Sequence, residues 1–170
     1  MLGGGKWASN PDPAVGDVLV CIEAVRPCVA LVHVQGAGAM CRAYAWGPLG
    51  ITEEAGLAAQ HIVLSCEELV EQSITVRDPN RVLFPETKVV AVVHEPGGAH
   101  PSPVQGHFKR DHSFFRDYAA QSRTADGFAE WLERWVLGVP DRMTYLEQVD
   151  VEALRVRGST LSAPANFADE

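Results

Sequence analysis

The sequence predicts an α/β domain, and three observations carry that prediction. Val89-Val90-Ala91-Val92-Val93-His94-Glu95 is an almost unbroken β-branched run of the kind buried on both faces of a parallel sheet. It ends in a glycine-rich loop, Pro96-Gly97-Gly98-Ala99-His100-Pro101. Strand patterns come first along the chain and helical patterns dominate after residue 111. Ligands of open α/β sheets sit beyond the carboxyl ends of the strands, so the 96–102 loop is where a pocket is expected. Gly97 and Gly98 let a ligand approach the main chain closely and present bare N–H groups, with the His100 imidazole beside them. Local pattern alone favours a tight turn with a solvated histidine.

The elements follow in order. Residues 1–16 have no periodicity and read as a loose lead-in. Val18–Ile22 is a short strand, closed by Arg26-Pro27. Val29–Gln35 is a second, buried strand, and Gly36–Met40 a flexible loop after it. That loop lacks the lysine and hydroxyl of a phosphate-binding loop and the glycine spacing of a dinucleotide fingerprint. Trp46-Gly47-Pro48 marks a turn or lid. Thr52 is placed to cap a short Ala-rich helix with Glu53 and Glu54 in its first turn. His61–Cys66 is a third strand that runs straight into Glu67-Glu68. These acids either bring charge to the ligand edge of the sheet or open a short helix.

Asp111 and Thr124 are expected helix caps. Phe128, Trp131, Leu132, Trp135 and Val136 recur at helical spacing and are expected to be core. Gly138 ends that helix, and Pro140 fits the first turn of another, with Met143, Leu146 and Val149 on its buried face. The domain spans residues 17–157, and residues 158–170 read as a disordered tail.

Composition bounds the function. The 170 residues are enough for one domain with a core, and 46% hydrophobic with 21% charged residues is ordinary for a globular protein. Acidic residues outnumber basic ones, 22 to 14, for a net charge of -8, which argues against a nucleic-acid partner. No apolar run has membrane-spanning length, so no membrane partner is expected. Cys21, Cys28, Cys41 and Cys66 lack paired zinc spacing and read as reduced thiols of a cytoplasmic protein. His94, His100, His107 and His112 are dense but lack metal-ligand spacing, so no metal is expected.

A set of stretches then recurs in a recognisable order. It comprises Val29–Gln35, Trp46-Gly47, Ser65–Val70, Arg77–Val82 and Gly98–Ser102. Asp111 with Phe114 follows, then Phe128, Trp131-Leu132, Trp135-Val136, Gly138, Asp141-Arg142 and Tyr145-Leu146. Together they resemble the alpha subunit of family I CoA-transferases, closest to the glutaconate CoA-transferase-like group, over its C-terminal portion. The resemblance implies a CoA-transferase-like sheet flanked by helices (the NagB/RpiA/CoA-transferase type), as an incomplete domain. It implies a beta-type subunit for a partner, with an acyl-CoA and a carboxylic acid as substrates. Coenzyme A is then a substrate, and no cofactor is expected.

In that family the attacking glutamate lies on the beta subunit or, in a related steroid ring-opening hydrolase branch, in the N-terminal part. Neither Glu67 nor Glu68 matches it, so no catalytic residue is expected in this chain. Glu67, Gly97, Gly98, His100 and Ser102 are the candidates for the substrate and CoA pocket. The family's acidic loop after the second strand reads Gly38-Ala39-Met40-Cys41-Arg42 here, and Arg42 either pairs with a ligand anion or is surface drift. The leading expectation is a transferase subunit. The alternatives are an acyl-CoA hydrolase subunit or a catalytically silent truncated one.

Overall fold

A computed structural model describes residues 7–11, 14, 16, 18–38 and 40–156. Its centre is a four-stranded sheet in the order β4-β3-β5-β6. Here β3 is Val29–Gly38, β4 is Ala43–Tyr44, β5 is His61–Val70 and β6 is Val89–His94. Strands β3, β5 and β6 are parallel, and β4 is antiparallel to β3. Parallel neighbours need crossovers. Helix α1 (Thr52–Ala58) lies in the first, and α2 (Gln72–Arg77) with two short 3₁₀ turns lies in the second.

Residues 7–11 are not part of a loose lead-in. Strand β1 (Trp7–Pro11) pairs antiparallel with β2 (Val18–Ile22) in a separate two-stranded sheet. The expected tail, 158–170, lies outside the described residues.

Register sets which side chains share a face. Val32, Val34, Ile62, Leu64, Cys66 and Val89 are buried together with Ala43, Ala45 and Phe84, and they form the core. Val32 pairs with Leu64, and Val34 with Cys66. Burial pushes the Cys66 thiol pKa up. Gly56 of α1 is buried against the Phe84 ring, where a Cβ would come within 2.4 Å of a ring carbon.

Two expectations about strands are corrected. Strand β3 continues to Gly38 because Gly36 and Ala37 pair with both β4 and β5, so no flexible loop begins at Gly36. Strand β6 is the edge of the sheet and is not buried on both faces, since Val90 and Val93 are exposed.

The helical block holds α3 (His112–Gln121), α4 (Ala125–Leu132), a π-helical turn (Glu133–Leu137), α5 (Arg142–Val149) and α6 (Val151–Leu154). Asp111 caps α3 by accepting from the Phe114 N–H, and Thr124 caps α4 by accepting from the Gly127 N–H. Asp141, rather than a first-turn proline, starts α5 by accepting from the Thr144 N–H. Helix α1 begins at Thr52 itself, with no side-chain cap.

The aromatic stripe is not core. Phe128 and Val136 are exposed, and Trp131 and Trp135 are half-buried around Phe114 in edge-to-face contacts. Met143 is exposed as well, while Leu146 and Val149 are half-buried.

Candidate functional site

Strand β5 runs through Glu67 and Glu68 to Val70, so these acids do not open a helix. Side chains alternate along a strand, which sends the pair to opposite faces. Glu68 points to solvent, whereas the Glu67 side chain is 1% exposed. A carboxylate so deeply buried needs donors. Glu67 Oε1 accepts from His33 Nε2 at 2.8 Å, and Oε2 accepts from the Gly97 N–H at 2.9 Å. A carboxylate only accepts, so the imidazole proton sits on Nε2. This leaves Nδ1 facing the Ser65 hydroxyl at 2.9 Å. Hydroxyl, imidazole and carboxylate thus form one continuous chain. Its members come from neighbouring strands because His33 and Ser65 are register partners.

The glycine loop closes over this chain. A Cβ on Gly98 would lie 2.9 Å from the His33 ring, so only glycine lets the loop rest on the imidazole. Gly97 sits at φ +72°, in the left-handed region that favours glycine. The N–H groups of Gly97, Gly98 and His100 are not bare: Gly97 donates to Glu67, Gly98 to Glu95 O, and His100 to Gly97 O. Arg142 of α5 holds the same loop from outside. It donates to Glu95 Oε1 at 2.8 Å and to Gly97 O at 2.7 Å.

A cleft of about 590 Å³ opens beside His33 and Gln35 in the middle of β3. Its walls are Gln35, Trp46, Leu49 and Leu83 on the sheet side, and Ala99, Ser102, Gln105 and Arg110 on the loop side. Gln35 is fixed by donating to Trp46 O, and Arg81 stacks over the Trp46 ring. The Arg110 guanidinium lies over the Phe115 ring. The cleft surface is mainly apolar, with polar groups at His33, Gln35, Thr52, Ser102, Gln105 and Arg110.

Of the residues singled out from sequence, Glu67, Gly97 and Gly98 come together, and Ser102 lines the cleft. His100 goes elsewhere. Its side chain is 3% exposed, bonded through Nδ1 to the Tyr145 hydroxyl at 2.6 Å and through Nε2 to Asp111 Oδ2 at 3.2 Å. Burial pushes the Asp111 carboxyl up, but the Ser113 hydroxyl, the Phe114 N–H and His100 outweigh it and bring its pKa to about 2. Burial raises the Tyr145 pKa. Arg42 pairs with Glu86, away from the cleft lining. Among the described residues no three His, Cys, Asp or Glu side chains are arranged to hold a metal ion.

His33, Gln35 and Arg110 join the site without having stood out in the sequence. The available signal is His33 and Gln35 interrupting an apolar strand at alternate positions, which places both on one face.

No protein-family profile matches the chain. Curated relatives do. The chain is 33% identical to a 3-oxoadipate CoA-transferase subunit of Pseudomonas knackmussii over 130 residues, covering 76% of this chain and 45% of that protein. It is 30% identical to a glutaconate CoA-transferase subunit of Acidaminococcus fermentans over 149 residues, covering 88% and 46%. The crystal structure of the latter enzyme superposes with a TM-score of 0.77 at 28% identity, over 89% of this chain and 49% of that chain.

The chain is a homologue of CoA-transferase alpha-type subunits.

It spans about half the length of the subunits it matches. The CoA-transferase-like sheet expected from the sequence is the sheet observed. A further relative, the cholesterol ring-cleaving hydrolase IpdA subunit of Mycobacterium tuberculosis, is 28% identical over 139 residues, 78% of this chain and 48% of that protein.

Proposed function

We propose that this CoA-transferase homologue is the alpha-type component of an enzyme that moves CoA between an acyl-CoA and a free carboxylic acid. Homology to two CoA-transferase subunits of the alpha type is the observation that carries the reading. The mainly apolar cleft beside His33 and Gln35 of β3, walled on one side by Ala99 and Ser102 of the glycine loop, supports it as a seat for an acyl group.

The attacking carboxylate comes from a glutamate of a beta-type partner. Its oxygen bonds to the thioester carbonyl carbon, the C–S bond breaks, and CoA thiolate leaves behind a mixed anhydride. The thiolate then attacks the glutamyl carbonyl, which releases the first acid and leaves a glutamyl-CoA thioester. The second acid reverses the sequence. Covalent catalysis of this kind splits one hard exchange into easier steps. Glu67 is unsuited to the attack because both its oxygens are engaged and it is shielded from the cleft by His33. Its part is to orient His33 and the loop. A cytoplasmic location belongs to the proposal and is supported by the free thiols of Cys28, Cys41 and Cys66. No helix among the described residues is long and apolar enough to cross a membrane.

The test is CoA exchange between an acyl-CoA and a labelled free acid, with this chain and a beta-type subunit together and apart. Label is expected in acyl-CoA only when both chains are present. A stable complex without exchange overturns the reading.

The Ser65–His33–Glu67 chain favours a second reading, an acyl-CoA hydrolase subunit. Hydrolysis needs a base for water, and an imidazole fixed by a carboxylate is such a group. CoA release without an acceptor acid, lost in His33→Ala, would select this reading over transfer.

A further inference from the structure

His33, Ser65 and Glu67 alternate along β3 and β5 with Val32, Val34, Leu64 and Cys66, so they share the sheet face opposite the core. The imidazole proton sits on Nε2 and is committed to Glu67, which leaves Nδ1 with only a lone pair to offer. The Ser65 hydroxyl, 2.9 Å from Nδ1, therefore donates its proton to the ring. Among the described residues no other group hydrogen-bonds the Ser65 oxygen. A hydroxyl within reach of a base, with the base held by a third group, is the arrangement of an activated nucleophile. The hydroxyl is also within reach of a reactant. Ser65 is only half-buried, and its register partner Val93 is 46% exposed. In the adjacent row Leu31 is 81% exposed and pairs with Val63. Leu31, Val63 and Val93 thus give the hydrocarbon part of an acyl group an apolar bed beside the hydroxyl.

We propose that Ser65 is a nucleophile that accepts an acyl group from a thioester or aryl ester, with His33 as its base. Ser65 Oγ bonds to the acyl carbonyl carbon and passes its proton to His33 Nδ1. The C–S or C–O bond breaks, and the departing thiolate or aryloxide takes that proton from Nδ1. Water then attacks the Ser65 ester and gives a proton to Nδ1. That proton returns to Ser65 Oγ as the carboxylic acid is released. Glu67 is a positioning residue: it holds the proton on Nε2 and keeps Nδ1 turned to the hydroxyl. The reaction goes beyond CoA exchange, since it uses neither a partner's carboxylate nor an acceptor acid. It differs from the hydrolase reading by placing an ester on Ser65, where that reading has His33 act on water.

The test mixes the full 170-residue chain with p-nitrophenyl acetate and follows both p-nitrophenol release and the mass of the protein. Expected is a burst of one equivalent and one acetyl group, which peptide mapping places on Ser65. Ser65→Ala should abolish both while keeping the circular dichroism of the parent chain. His33→Ala should slow acylation about a hundredfold or more. Glu67→Gln should slow acylation and leave the half-saturating ester concentration unchanged. Ser73→Ala, at an exposed serine, should leave the burst intact. The absence of a burst, an acetyl group on another residue, or undiminished acylation of His33→Ala overturns the proposal. Steady p-nitrophenol release that survives Ser65→Ala also overturns it, and leaves His33 acting directly on water.

Discussion

Glu67 joins three parts of the molecule through two oxygen atoms. It ties β5 to His33 on β3 and to the main chain of the glycine loop. Removing a buried acceptor leaves its donors without partners, which costs more than the bond itself contributed. Glu67→Ala should therefore lower stability by about 3 kcal/mol, read as a fall in the urea midpoint at unchanged slope. Glu67→Gln keeps one acceptor and should lose less. A result for Glu67→Ala within about 0.5 kcal/mol of the parent would mean that water replaces the carboxylate. The acid was legible in the sequence as charge at the end of an apolar strand. Its partner His33 was not, because a single histidine within a valine-rich run shows its role only after a second strand is laid beside it.

At the scale of elements, packing decides against propensity at Gly56. Alanine is the better helix former, by about 1 kcal/mol in a helix interior. Yet an added Cβ would enter the Phe84 ring, which is itself in the core. Gly56→Ala should destabilise by about 1–3 kcal/mol, seen as a lower melting temperature, and a raised melting temperature would show that α1 can shift. The same contest between local pattern and tertiary context explains what the sequence revealed. Strands β2, β3, β5 and β6 could be read from β-branched runs, and the caps at Asp111 and Thr124 from their side chains. The extension of β3 through Gly36-Ala37-Gly38 could not, because glycine signals a turn unless flanking strands satisfy its backbone on both sides. The aromatic stripe had the period of a core helix, but periodicity does not say how much protein lies opposite.

For the whole molecule, the set His100, Asp111 and Tyr145 is one join between the loop after β6 and the helical block, beside the Arg142 contacts to Glu95 and Gly97. His100 was legible as an unusual residue in a glycine loop, but its burial depends on partners 11 and 45 residues further on. The join carries a pH dependence. The Asp111 carboxyl has a pKa of about 2 in the folded chain, below the unfolded value of about 4. The folded state therefore binds fewer protons, and stability rises with pH across this interval. The contribution is complete above about pH 4 and disappears as pH falls to about 2. Asp111→Asn should flatten that part of the acid-unfolding curve, measured as the urea midpoint against pH. A curve identical to the parent's would remove Asp111 from the set of groups that govern acid unfolding.

His33 stands 32 residues before Ser65 and 34 before Glu67 along the chain. Their meeting waits on a crossover, with helix α1 in it, being wound between two strands. Contacts of such sequence separation form after the local ones, since loop closure must be met before they return any gain. Chemistry at this imidazole thus cannot precede the zipping of β3 onto β5. Recovery of its hydrogen-bonded ring signal during refolding would serve as an internal clock for sheet assembly.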